Sequence, residues 1–241
     1  MERWNMQVRE KSPAKLRLYE AFAASGKALS NPSRLELLDL LSQGERTVDS
    51  LARAAGLNLT TASAHLQTLK QAGFVATRRS GARIYYRLSG DDVAELFALL
   101  RKVAEAHQPG VPAARDGYLL SGNPESAVIG TIDRDQLPER VAGGAVILDV
   151  RPAEEYRAGH IPGAVSIPVD ELGERIGELP TDTDIVVYCR GEYCVFAYDA
   201  VRLLSEHGRR PIRLNDGMLE WRLAQLPVTV APDQDLDAQH R

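Results

Sequence analysis

Between Arg34 and Leu41 the apolar positions Leu35, Leu38 and Leu41 recur at three-residue steps behind the turn Ser30-Asn31-Pro32, which predicts a helix. Thr47 to Ala55 predicts a second, shorter one anchored by Leu51. After the turn Gly56-Leu57-Asn58-Leu59, Ala62, Leu66 and Leu69 recur at i, i+4, i+7 and mark the inward stripe of a helix from Thr60 to Ala72, stopped by Gly73. Phe74 to Leu88 alternates and breaks at Ser80-Gly81, the pattern of a β-hairpin, and Asp91 to Ala106 returns to helical spacing. The rear of the chain changes rhythm. Val146 to Val150 and Asp184 to Cys189 are short apolar runs of the kind found in buried parallel strands, with a candidate helix from Leu172 to Leu179 between them. Phe196 to His207 puts Ala197, Ala200, Val201 and Leu204 on one helical face, and Ile212 to Leu214 gives a further strand. The predicted fold class is therefore two domains, a mainly α unit with a hairpin followed by an α/β unit with a parallel sheet.

The stretch Gln108 to Gly117 concentrates Pro and Gly after a helical pattern, so the boundary belongs there. The expected division is 1–108 for the first domain, 109–130 for a linker, 131–227 for the second domain and 228–241 for a polar tail. Charge follows the same division. Residues 1–110 hold 16 Lys/Arg against 11 Asp/Glu, leaving 13 against 22 in the remainder of a chain whose formal net charge is -4. A basic front half suits a polyanion; an acidic rear half does not. No run approaches the roughly 18 apolar residues needed to span a bilayer, and the polar start MERWNMQVREK lacks the apolar stretch of a signal peptide. The expectation is a cytoplasmic protein with no membrane partner. Cys189 and Cys194 are the only cysteines, which excludes a disulfide framework of the secreted kind and a four-cysteine zinc site and leaves a chemical role for them.

The outward face of the Thr60 to Ala72 helix carries Thr60, Thr61, Ala64, Gln67 and Thr68, short or uncharged side chains that can enter a major groove. Gln67 can pair with an adenine edge, and Ala64 or a Thr methyl can touch a thymine methyl. Arg78, Arg79 and Arg83 cluster at the hairpin tip. Helix-turn-helix followed by a basic hairpin is a winged helix, the helix reading bases and the wing clamping phosphates. The segments Ala28 to Arg34, Leu57 to Leu69 with Ser63 and His65, and Gln71 to Val75 resemble the arsenical-resistance/metal-sensing (ArsR/SmtB) family of dimeric bacterial repressors, over residues 16–106. The resemblance implies DNA contacts at Thr60, Thr61, Ser63, Ala64, His65 and Gln67, and dimerisation through the first helix and the last, Asp91 to Ala106. His65 borders the apolar stripe, so a packed histidine and a base contact are both open readings. The family's metal sites are not matched: Glu45 to Leu51 has no cysteine, and the helix opening at Gly90 has no histidine before His107. Asp91, Asp92 and Glu95 read as acidic charges meeting a helix N-terminus, and no metal is expected.

Cys189 ends an apolar strand and opens the loop Cys189-Arg190-Gly191-Glu192-Tyr193-Cys194, which runs into a helix. Backbone N–H groups curling round the sulfur, the helix N-terminus and the Arg190 charge predict a lowered thiol pKa, and so a thiolate nucleophile. The segments Leu148 to Tyr156, Gly159 to Pro168, Val187 to Gly191 and Leu214 to Trp221 are similar, in order, to the motifs of rhodanese sulfurtransferases, over residues 131–227. That resemblance implies that Cys189 takes sulfane sulfur as a persulfide and passes it to a thiophilic acceptor, with no cofactor. Two departures stand out: Asp216 where the family commonly has Gly, and Cys194, a potential resolving thiol. Related phosphatases need an Arg six positions after the Cys, and position 195 is Val. Asp149, Arg151 and His160 lie in strand-end and turn motifs and read as structural groups rather than an acid–base set.

Together these readings predict a DNA-binding transcriptional regulator, a repressor, whose rhodanese domain senses or transfers sulfane sulfur through Cys189. Its expected partners are a double-stranded DNA operator, a donor such as thiosulfate or polysulfide, and a second copy of the chain. The alternative is an active thiosulfate-type sulfurtransferase whose DNA-binding half only autoregulates its gene. A third reading, an inert domain used for protein contact, is disfavoured by the intact Cys189 loop.

Overall fold

The computed structural model describes residues 12–120 and 130–230; the polar start, part of the expected linker and most of the expected tail lie outside them. Contacts group the described residues up to Asp39 with Arg46–Ser89, and Leu40–Glu45 with Gly90 onward. The helix α5 (Asp91–His107), expected in the first domain, thus groups with the rear half.

The front unit contains α1 (Pro13–Leu29), most of α2 (Pro32–Ser42), β1 (Arg46–Thr47), α3 (Val48–Ala54), α4 (Leu59–Gln71) and the hairpin β2 (Val75–Ser80) and β3 (Arg83–Leu88). α3 starts where the Thr47 side chain accepts a hydrogen bond from the Ser50 backbone N–H, and α4 where Asn58 does the same for Thr61. α4 buries Ala62, Leu66 and Leu69, the predicted stripe, and ends at Gly73, whose φ of 81° favours glycine. β1, β3 and β2 form an antiparallel sheet in that order, and Ser80 faces Arg83 across a tight turn with Gly81 at φ 58°. Leu51, Phe74, Val75 and Tyr86 are also buried in this unit.

The rear unit has five parallel strands in the order β4 (Thr131–Ile132), β8 (Arg210–Leu214), β7 (Asp184–Tyr188), β5 (Val146–Asp149), β6 (Val165–Ser166). Alternation along β7 decides which layer each side chain joins. Ile185, Val187 and Cys189 pack in one core with α9 (Leu172–Arg175) and α10 (Val195–Glu206), which contributes Ala197, Ala200, Val201 and Leu204. Val186 and Tyr188 pack in the other core, with Leu137 of α7 (Leu137–Ala142) and with Met218 and Trp221 of α11 (Met218–Leu223). α8 (Ala153–Ala158) follows β5. The predicted helix from Leu172 to Leu179 tightens to a 3-10 turn at Ile176–Glu178. Within the Pro/Gly-rich stretch expected as linker, Gly110–Leu119 folds as α6 and buries Leu119.

Candidate functional site

Each unit holds one candidate site. In the front unit Thr60, Ala64 and Gln67 of α4 are exposed, while Thr61, Ser63 and His65 are half-buried. The Gln67 Nε2 donates to the Tyr86 hydroxyl at 3.0 Å, and Lys70 donates to Thr77 Oγ1 at 2.9 Å, so two side chains of α4 are tied to the hairpin. Gln67 keeps its carbonyl oxygen and a second amide hydrogen, the pair an adenine edge requires, and Tyr86 orients them. Arg78, Arg79 and Arg83 are exposed on the wing; Arg78 lies 4.9 Å from the Tyr85 ring and Arg79 donates to the Gly81 carbonyl at 3.1 Å.

In the rear unit the loop from Cys189 to Cys194 lies at the carboxyl end of β7, the edge where parallel α/β sheets place their ligands. Cys194 is the N-cap of α10, and both thiols are reduced and buried, Cys189 3% exposed and Cys194 8%. The Cys189 sulfur lies 3.7 Å from the Gly191 carbonyl oxygen and 3.6 Å from that of Cys194. Such acceptors favour a thiol that keeps its proton. Burial pushes the Cys189 pKa well up, and its hydrogen bond to Cys194 pushes it further, against the opposing amides of Gly191 and Ala197. Cys194 moves down: the Cys189 hydrogen bond is the largest cause, burial opposes it, and the Arg190 and Phe196 amides and the Arg190 charge assist. The expectation of a lowered pKa at Cys189 is therefore corrected. The negative charge of the pair belongs on Cys194, which caps α10 and is reached by the Arg190 charge and by the Arg190 and Phe196 amides, both thiols lying in the same apolar cluster.

Neighbouring charges are committed to one another. Asp149 and Arg151, both 0% exposed, are joined at 2.6 Å; Tyr188 donates to Asp149 at 2.5 Å, and Arg151 also donates to the Gly159 carbonyl at 2.8 Å. His160 stacks on Tyr156 with centroids 3.7 Å apart, its Nδ1 2.9 Å from the Tyr156 carbonyl. Asp149, Arg151 and His160 are thus held by contacts within the strand-end loops. Arg190 is held by Glu155 at 2.6 Å and lies over Phe196, so its charge reaches the thiols from the side. Glu192 is exposed and Tyr193 half-buried. Gly217 approaches so closely that a Cβ there would lie 2.1 Å from the Gly191 nitrogen. Asp216 beside it pairs with Arg134 at 3.2 Å.

Comparison with known proteins resolves what this pairing of units is. The family described as bacterial regulatory protein, arsR family, matches residues 31–77, and the rhodanese-like domain family matches residues 133–224. An HTH-type transcriptional regulator of Mycobacterium tuberculosis is 54% identical over 217 residues, covering 90% of this chain and 94% of that protein. The chain belongs to the arsR family of transcriptional regulators and carries a rhodanese-like domain. A sulfurtransferase of Allochromatium vinosum is 32% identical over 109 residues, 44% of this chain and 99% of its own length. Among solved structures, the homodimeric winged helix-turn-helix DNA-binding domain of a Mycobacterium bovis protein is 55% identical, covering 41% of this chain and 92% of that one, with a TM-score of 0.39. No described helix of this arsR-family regulator is long and apolar enough to cross a membrane.

Sequence reasoning gave no role to Glu155, Gly217 or Glu220. Gly217 and Glu220 lie inside the Leu214 to Trp221 motif, which could have flagged them; Glu155 lies inside Leu148 to Tyr156. What those motifs do not contain is the long-range partner that gives each residue its job.

Proposed function

We propose that this regulator senses sulfane sulfur by forming a persulfide on Cys189, and that loading changes its affinity for a DNA operator. The observation that carries the reading is the pair of buried, reduced thiols that open and close the loop at the carboxyl edge of the parallel sheet, Cys194 capping α10. Cys194 serves as the base. As the Cys189 sulfur attacks the outer sulfur of thiosulfate, its proton passes to the Cys194 thiolate, the new S–S bond forms, the old one breaks, and sulfite leaves with the bonding electron pair. The product is a Cys189 persulfide beside a neutral Cys194 thiol. Cys194 can later resolve it, since a persulfide is an activated disulfide.

On the DNA side, Thr60, Thr61, Ser63, Ala64, His65 and Gln67 face the bases while Arg78, Arg79 and Arg83 grip phosphates. One α4 per chain reads a half-site, so the operator is two-fold symmetric and the protein binds it as a homodimer. Two uncovered apolar surfaces support this: Leu16, Leu18, Tyr19 and Phe22 on α1, and Leu96, Leu99 and Val103 on α5, are all exposed.

The test is mass spectrometry of the intact protein after thiosulfate or tetrasulfide. Wild type should gain the mass of one sulfur atom, reversed by cyanide, and Cys189→Ser should not. An adduct that persists in Cys189→Ser would sink the assignment. Rapid multiple-turnover thiocyanate formation with no effect of donor on operator binding would instead favour a sulfurtransferase whose DNA-binding half acts independently.

A further inference from the structure

One set of contacts around the loop takes no part in the chemistry of the thiols. It joins the loop's outer half to α5. The Arg101 guanidinium lies 4.3 Å from the Tyr193 ring centroid and 5.4 Å from that of Phe97, and its Nη2 is 3.6 Å from Glu220 Oε1. Glu105, one helical turn further along α5, accepts a hydrogen bond from the Tyr193 hydroxyl and pairs with Arg115. Glu220 in turn accepts the Gly217 N–H at 3.0 Å and stands against Gly191, where a Cβ would meet its Oε2 at 2.9 Å. Arg101 and Glu105, four residues apart, share one face of α5 with Phe97, while the exposed Leu96, Leu99 and Val103 lie on the opposite face.

The loop's inner half has nowhere to go. Cys189 and Cys194 both belong to the packed cluster with Val187, Ala197 and Val201, and the Gly217 backbone abuts the Arg190–Gly191 peptide. Interiors packed to this density do not admit an extra atom without displacement. A sulfur added to Cys189 is therefore accommodated by moving the Gly191–Tyr193 side, the side α5 holds. We infer that α5 registers the sulfur state of the loop, Arg101 and Glu105 acting as positioning residues that couple Tyr193 and Glu220 to the helix whose far face meets the second copy. This inference rests on the proposed loading of Cys189. It supplies a physical element biased from both ends, which a coupling between sites requires.

The test uses full-length protein with Arg101→Gln and Glu105→Gln, neither of which touches a thiol, and sodium tetrasulfide as the probe. Loading breaks a terminal S–S bond of tetrasulfide and forms the bond to Cys189; trisulfide leaves and the thiol proton passes to Cys194. Hydrogen–deuterium exchange is followed by mass spectrometry on peptides spanning 91–107 and 189–195, with the sulfur adduct measured in the same samples. Without donor, each variant should speed exchange at Glu192 to Cys194 several-fold; unchanged exchange in both overturns the coupling whether or not the protein takes up sulfur. With donor, loaded wild type should show altered exchange in 91–107. The variants should load equally yet show little of that change. Loaded wild type with unaltered 91–107, or variants that respond fully, overturns the inference. Wild type that gains no sulfur counts against the loading reading instead, and the donor-free arm still decides whether the clamp exists.

Discussion

Cys189 and Cys194 divide one proton between two unequal environments, and the division has a measurable signature. With Cys194 held below the ordinary thiol value and Cys189 above it, sulfur uptake should rise with pH through the Cys194 ionisation, at a midpoint lower than that of an ordinary cysteine. As pH falls through that midpoint the base is lost and uptake slows. Cys194→Ser removes the base and leaves a buried thiol whose pKa is raised, so uptake near neutral pH should fall by about 100-fold and the midpoint should move upward. A profile unchanged by Cys194→Ser, measured by stopped-flow sulfite release, would show that Cys189 ionises without help. The buried Asp149–Arg151 pair carries a different kind of expectation. Arg151→Met removes the guanidinium from the buried Asp149, leaving it only the Tyr188 hydroxyl and the backbone N–H of position 151, and should cost about 3–5 kcal/mol in a denaturant titration. A loss near zero would mean that Tyr188 and the backbone N–H of position 151 satisfy the carboxylate between them.

At the scale of elements, recognition in the proposed function is divided between α4 for base edges and the wing for phosphates. Replacing Arg78, Arg79 and Arg83 by Ala should weaken binding to every duplex alike and flatten the dependence of log K on log salt by about one per lost phosphate contact. A change of preferred sequence instead would reverse the assignment of reader and clamp. The helix α4, the hairpin and the strands β5, β7 and β8 were legible in the sequence because local pattern encodes them: Ala62, Leu66 and Leu69 at helical spacing, alternation from Phe74 to Leu88, and the short apolar runs from Val146 to Val150 and Asp184 to Cys189. α6 was not. Its Gly110 and Pro112 read as breakers, yet Pro112 falls in the first turn, where its missing N–H has no helical partner to lose, and Leu119 finds a buried place. The two-residue strands β4 and β6 carry no periodic signal at all, and their parallel neighbours position them. The candidate loop was legible down to Cys189, but the location of the thiolate was not. That depends on which thiol caps the helix and receives the Arg190 charge, and spacing alone does not encode either.

Across the whole molecule, one chain of the arsR family carries both a winged helix-turn-helix unit and a buried thiol pair. In the proposed function, the chemical state of Cys189 governs DNA affinity. The most direct test is an operator-binding titration at fixed salt, with wild type and Cys189→Ser, each with and without tetrasulfide, the sulfur adduct being confirmed in every sample. Wild type should shift its Kd by about tenfold or more on loading, within the 1–3 kcal/mol usual for coupling between sites, and Cys189→Ser should bind as unloaded wild type does in both conditions. Loaded wild type that binds with unchanged affinity, or Cys189→Ser that responds to the donor as wild type does, would contradict it.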